Sequence, residues 1–225
     1  MGNSMSSDSN IIKQIYINIK KDLTIEVRRG YEYLSSLAFI IASSLVISHI
    51  ITKFLRVELF IPSLWIIIVF LGIFTTYSSF VREVDKKTIY GVRLLPIPAP
   101  IIFLSKSLYT YILVFTQSIV YLGFQTLFTM STLKLSMDIV YTLIIFSLNI
   151  SIIASFTSAL VMYSEGRSFL IPMLIFIFSL PIIPLAVAIS DPEIPAGPFD
   201  LPLLAMETFT LFITFTILSE YLLET

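Results

Sequence analysis

The chain has 225 residues, of which 56% are apolar and only 13% are charged, and its formal net charge is −1. Ordinary soluble domains are about 45–50% apolar and about 25% charged, so this composition favours a protein largely surrounded by lipid. The absence of cysteine excludes disulfides, thiolate metal sites and CxxC redox chemistry. The near-neutral charge gives no indication of a nucleic-acid partner, and none is expected.

The N-terminal segment divides into a polar tail and an amphipathic stretch. Residues 1–10 are polar and predict a disordered tail, whereas residues 11–33 predict a helix in the headgroup plane. The alternative is a solvated tail. No signal-peptide core precedes the first span, which we therefore expect to be retained. On a helical wheel the basic side chains gather opposite one apolar face, which contains Ile12, Ile15, Tyr16, Ile19, Leu23 and Val27.

Six apolar segments follow, each close to the roughly 20 residues that a membrane helix needs. They form a predicted membrane domain over residues 34–223. The sixth segment is interrupted by Glu207 and Glu220, whereas the first five contain no charged residue. The sequence therefore predicts an all-α integral membrane fold with six transmembrane helices and an N-terminal interfacial helix. The predicted spans are about 34–52, 59–80, 108–131, 139–163, 169–190 and 201–222.

Lysine and arginine are distributed unequally between the two sides of this topology. Eleven lie in the N-terminal tail, the loop between spans two and three, and the turn between spans four and five, whereas three lie on the other side. The positive-inside rule predicts that both termini of this multi-pass protein are cytoplasmic. We expect it in the cell (plasma) membrane.

Polar side chains within the spans are candidates for helix packing or for a translocation path. Gln117, Tyr121 and Gln125 recur every four residues and share one face. Hydrogen bonding between helices is the favoured interpretation, and a polar path is the alternative. Asn149 is consistent with either role. Glu207 is expected to extend its carboxylate toward the interface, with a transport role as the alternative.

Small residues and prolines predict how the later spans pack and bend. In the fourth span a ladder of small residues at four-residue spacing predicts close helix contact. It consists of Ser147, Ser151, Ser155 and Ala159. Three prolines in the fifth span predict a kinked or broken helix. They are Pro172, Pro181 and Pro184.

The chain carries no pattern typical of catalysis. His49 is the sole histidine, so packing or an interface contact is favoured over haem or metal ligation. No GxxxxGK[ST] motif is present, so nucleotide hydrolysis is not expected here. We expect a protein without catalytic residues, a metal site or a directly bound cofactor.

The loop between spans two and three has a distinctive sequence, SFVREVDKKTIYGVRLLPIPAPIIFLSK over Ser79–Lys106. It is charged at first and then rich in proline, and Thr88–Leu95 could form a short helix that ends before Pro96. Such an element suits a permease that receives a push from a cytoplasmic ATPase. From physical chemistry alone, an ordinary connecting loop remains the alternative.

This loop resembles that of the haem exporter protein B (CcmB) family, ABC-2-type permeases of cytochrome c maturation. The family pattern reads approximately R-E-x-E-x-G-T-x-E-G-L-L-L-x-P, with G-K before the third helix. This chain departs from it at Lys87, Tyr90 and Ser105. The matching residues are Arg82, Glu83, Thr88, Gly91, Leu94, Pro96 and Lys106. The resemblance runs from about Lys21 to Ser190 and includes Asp22, Glu26, Arg28, Gly166, Arg167, Leu170 and the prolines of span five.

The resemblance implies a six-helix permease subunit that pairs with an ABC ATPase and with other membrane subunits. ATP would act through the partner, and haem would be the cargo or would be released from a chaperone. In the loop, Ile89, Val92 and Leu94 are expected to form an apolar anchor for the ATPase. The charged residues expected to contact it at the rim are Arg82, Glu83, Lys86, Lys87 and Arg93. The alternatives are an ABC-2 permease for a drug, lipid or polysaccharide, an ion-coupled carrier, and a non-transporting scaffold.

Overall fold

The computed structural model describes residues 2–29, 31–54, 57–94, 97–129, 136–191, 197 and 199–224. Its described elements are helical. Before the first long loop they are α1 (Gly2–Arg29), α2 (Tyr31–Phe54), a 3₁₀ turn (Val57–Leu59), α3 (Phe60–Thr76), a π-helical turn (Tyr77–Val81), α4 (Arg82–Asp85) and α5 (Ile89–Arg93). They continue as α6 (Ala99–Phe128), α7 (Met137–Val161), α8 (Arg167–Ser179), α9 (Ile182–Ser190) and α10 (Asp200–Glu224).

The all-helical membrane architecture predicted from composition is confirmed. Within the described residues, five helices are long and apolar enough to cross a membrane, and the bent pair α8–α9 provides a sixth span when it is counted as one. Helix α1 already begins at Gly2, so it includes residues that composition predicted to be a disordered tail.

Helix α7 lies at the centre of the bundle and packs against α3, α6, α8, α9 and α10. Its small-residue ladder is buried along its whole length, at Ser147, Ser151, Ser155 and Ala159. The Ser147 hydroxyl donates to the carbonyl of Leu143 at 2.6 Å, so it is satisfied within its own helix. Small side chains with internally satisfied hydroxyls allow neighbouring helices to approach closely in a bilayer.

Helices α3 and α7 are in close contact at Gly72. A Cβ atom placed on Gly72 would lie 2.3 Å from Cγ2 of Ile150, well inside van der Waals contact. Glycine at this position therefore reflects helix proximity. Beside it, Trp65 packs on Phe146 with ring centroids 4.9 Å apart, which fills the same interface.

The fifth span is broken, as its prolines predicted. Helices α8 and α9 are bent by 54° at the break between them. Pro181 precedes α9, whereas Pro172 lies inside α8 without ending it. Proline at a helix start costs no backbone hydrogen bond that the helix would otherwise make, which explains why the break falls at Pro181.

Large apolar side chains cover the outside of the bundle. Leu34 and Leu45 on α2 are exposed, as are Met206 and Phe209 on α10. In water such a surface would be unfavourable, but a hydrocarbon environment solvates it. The periphery of α2 and α10 is therefore the lipid-facing part of the fold.

Candidate functional site

A break at the end of the second span positions the residues that follow it. Helix α3 gives way to the π-helical turn, in which Ser79 has φ −90° and ψ −123°. The backbone N–H of Val81 donates to Ser158 Oγ on α7 at 3.1 Å, so this amide keeps a partner. The local rewinding places Arg82 and Glu83 in the protein interior, where each is only 6% exposed.

The following segment, Arg82–Leu94, is hereafter called the docking loop, after the role that the sequence predicts for it. Its turn between α4 and α5 is closed by hydrogen bonds from Thr88 N to Glu83 O (2.8 Å) and from Lys87 N to Val84 O (2.9 Å). Lys87 has φ +57°, the left-handed conformation that glycine adopts most easily. This geometry explains why the CcmB pattern has glycine at the position of Lys87.

The docking loop has an inner and an outer face. Ile89 and Val92 are buried, so the expectation that they form part of an anchor for a partner is wrong. By contrast, Tyr90 is 67% exposed and Leu94 is 84% exposed. The apolar surface available to a partner therefore consists of Tyr90 and Leu94.

A buried ion cluster joins the docking loop to α1 and α6. In its first half, Arg82 Nη1 donates to Glu26 Oε2 on α1 at 2.7 Å. The hydroxyl of Tyr109 on α6 donates to the same carboxylate oxygen at 2.8 Å. Arg82 also lies over the Tyr109 ring, 5.7 Å from its centroid. Three separate segments of the chain thus meet at Glu26.

The second half of the cluster is centred on Lys106 of α6. Its ammonium group lies 2.9 Å from Asp22 Oδ2 and 3.0 Å from Glu83 Oε1. Lys21 Nζ approaches Glu83 from the other side at 3.3 Å, and Thr88 Oγ1 donates to the remaining Glu83 oxygen. Glu83 therefore accepts hydrogen bonds from three different elements.

The charges of the cluster balance. Three carboxylates (Asp22, Glu26 and Glu83) meet three cations (Lys21, Arg82 and Lys106). Burying an ion is costly unless it is paired and hydrogen-bonded, so this arrangement specifies one relative position of its parts. The cluster fixes the docking loop against α1 and the base of α6.

A second, exposed ion pair connects the docking loop to the turn before α8. Arg167 Nη2 lies 2.6 Å from Asp85 Oδ1, with both side chains partly open to solvent. Exposed pairs contribute little to stability, about 0–1 kcal/mol. This pair nevertheless shows that both basic segments lie at the same end of the bundle.

The candidate polar residues inside the spans are buried, with one exception. Gln117, Tyr121, Gln125 and Asn149 are each at most 3% exposed. Gln117 Nε2 donates to Ser36 Oγ on α2 at 3.0 Å, and Asn149 Nδ2 donates to Thr208 Oγ1 on α10 at 2.8 Å. These two bonds join helices, which is the packing role. Glu207 is half-buried on α10.

The structure does not gather ligands around His49, which is exposed on α2. In the described ranges, no group of three or more His, Cys, Asp or Glu side chains could hold a metal ion. Pro96 lies outside the described residues. Gly91 and Leu94 are exposed on the docking loop.

The helical wheel missed the functional face of α1. It emphasised the apolar stripe, yet Tyr16 and Val27 on that stripe are exposed, whereas Asp22 and Glu26 are buried. Correspondingly, Arg82 and Glu83 are buried and paired within the cluster, so neither is an exposed rim residue of the docking loop. The signal that could have revealed this is the four-residue spacing of Asp22 and Glu26, which places two acids on one face.

These features define a polytopic helical membrane protein. One end of its bundle is rich in basic residues and carries a loop that ion pairs hold against α1 and α6. The family model described as "CcmB protein" matches residues 13–220. The chain therefore belongs to the CcmB family, whose members are membrane permeases of transport systems in cytochrome c biogenesis. Among curated proteins, no sequence matches it.

Proposed function

We propose that this chain is the membrane subunit of an ABC transporter of the haem-exporter type. A separate cytoplasmic ATPase subunit hydrolyses ATP, and this hydrolysis drives either the export of haem or the release of haem from a chaperone. The remaining partners are other membrane subunits of a cytochrome c maturation complex. Membership of the CcmB family supports this assignment.

The observation that carries the proposal is the construction of the docking loop. A push from a partner is transmitted only if the element that receives it is both exposed and rigidly attached. Tyr90 and Leu94 provide the exposed apolar contact. The ion cluster provides the attachment, through Arg82 to α1 and through Glu83 to Lys106 on α6.

Orientation is part of the proposal. The eleven-to-three distribution of basic residues supports a plasma-membrane protein whose docking loop and termini are cytoplasmic. An ATPase that binds there has direct access to cytoplasmic ATP.

The test is co-purification of the ATPase with the Leu94→Asp variant in mild detergent. Leu94 is 84% exposed, so the substitution leaves the packing of the chain itself unchanged. A carboxylate buried at the interface without a partner costs several kcal/mol, and we expect the ATPase to be lost. The matched control is Met137→Asp, because Met137 is 73% exposed at the opposite end of the bundle.

Unchanged recovery of the ATPase with Leu94→Asp would contradict the assigned role of the loop. A second readout separates the cargo from the coupling. If the variant loses the ATPase yet the cells still mature their c-type cytochromes, the chain is an ABC permease for a different cargo.

A further inference from the structure

A cavity of about 310 Å³ lies between α1 and the docking loop, and Gly91 in its wall follows the exposed Tyr90 in the chain. Lys21 and Ile25 line it from α1. The docking loop contributes the rest of the wall, which consists of Arg82, Glu83, Lys86, Thr88, Gly91 and Val92. Its floor is therefore the ion cluster, and its rim is the surface that the proposed ATPase would contact.

The electrostatics of this cavity favour an anion. Lys86 is exposed and forms no ion pair within the described part of the chain. Among the charged residues that line the cavity, three cations (Lys21, Arg82 and Lys86) accompany one carboxylate (Glu83).

One donor of the cavity wall is unused. Arg82 is 6% exposed, and its Nη2 atom has no hydrogen-bond partner among the described residues. The nearest carboxylate oxygen in its ion pairs, Asp22 Oδ1, is 3.8 Å away, too far for a hydrogen bond. The charge of this guanidinium therefore remains incompletely paired at Nη2, and it attracts an anion that enters the cavity.

Gly91 provides an independent observation. Glycine inside a helix is destabilising relative to alanine, so its presence in α5 calls for an explanation. A Cβ on Gly91 would meet no atom within 4 Å, so crowding within the chain does not require glycine. Its helical position in α5 does not require it either. A glycine without a steric or conformational requirement, in the wall of a cavity, is typical of a place where another chain approaches the backbone closely.

We propose that this cavity receives an acidic side chain of the ATPase subunit, whose neighbouring apolar residues contact Tyr90 and Leu94. The carboxylate is held by Lys86 and lies over the guanidinium group of Arg82, which attracts it electrostatically. Helix α1 is thereby part of the docking surface through Lys21. This inference rests on the proposed function and adds the chemistry of the partner.

The experiment measures binding of the co-purifying ATPase subunit to the full-length chain in nanodiscs, with variants at the cavity. Lys86→Glu should weaken binding about 10- to 100-fold, because it replaces an attraction by a repulsion. Gly91→Phe should weaken it at least about 10-fold by filling the cavity, and Gly91→Ala should weaken it by a smaller factor, because one methyl group only crowds the approaching chain. Lys53→Glu, an exposed lysine of α2 outside the cavity, is the charge control.

The outcomes distinguish this inference from the proposed function. If Leu94→Asp abolishes binding while Lys86→Glu and Gly91→Phe bind normally, the cavity inference is overturned and the proposed function stands. If the cavity variants lose co-purified anionic phospholipid but keep the ATPase, the cavity belongs to a lipid headgroup and the inference is again overturned. If the parent chain binds no ATPase, the proposed function itself fails. An unchanged thermal midpoint of Trp65 fluorescence verifies that each variant is folded.

Discussion

Replacement of Arg82 by alanine tests whether the ion cluster holds α1 in place. Arg82 donates to Glu26 at 2.7 Å, and both side chains are buried. Without the guanidinium, Glu26 keeps the Tyr109 hydroxyl at 2.8 Å, but its charge is no longer compensated. Removal of one partner from a buried ion pair costs about 3–5 kcal/mol. We expect the lower end, about 3 kcal/mol, because Tyr109 remains.

This loss should appear as local opening of α1, because α1 is attached through the cluster and through its packing on α6. At about 1.4 kcal/mol per tenfold change, 3 kcal/mol increases the opened population roughly 100-fold. Limited trypsin digestion measures this population, since cleavage after Lys20 and Lys21 tracks the opened state when reclosing is fast. The Arg82→Ala variant should be cleaved there roughly 100-fold faster than the parent chain.

Two further variants make this test specific. Arg167→Ala removes an arginine from the exposed pair with Asp85 and should change the cleavage rate by less than about fivefold, or 1 kcal/mol. The double variant Arg82→Gln with Glu26→Gln should be cleaved more slowly than Arg82→Gln alone, because no unpaired carboxylate stays at position 26. Parent-like cleavage of Arg82→Ala would refute the reasoning.

Two other predictions concern packing and topology. Gly72→Ala should destabilise the bundle by about 1–3 kcal/mol, because its Cβ would lie 2.3 Å from Ile150 Cγ2. The double variant with Ile150→Ala should lose less stability than the sum of the two single variants, and thermal unfolding in detergent measures both effects. In a chain without native cysteine, Gly197→Cys should react with an impermeant reagent added outside the cell and Tyr90→Cys should not; the reverse pattern would overturn the orientation.

The fold class could be predicted from sequence because a bilayer imposes simple requirements on length and polarity. Each span needs about 20 apolar residues with no unsatisfied backbone, and these residues are contiguous in the chain. The break near Pro181 could also be predicted, because proline disrupts the hydrogen bonds of the helix in which it lies and the signal is therefore local in the sequence. The break at Ser79 could not, because Val81 N–H is rescued by Ser158, which is 77 residues away.

For the candidate site as well, some properties could be predicted from the sequence and others could not. The sequence by itself determined that the docking loop is charged, that it lies at the basic end of the bundle, and that it resembles the CcmB pattern. Only the tertiary structure decided which of its residues are available to a partner. Burial of Arg82 and Glu83 depends on Asp22, Glu26 and Lys106, which lie on other helices and pair with them across the bundle. A helical wheel shows the faces of one helix. Which charged side chains of other helices lie against a face, and where, depends on how the separate helices pack.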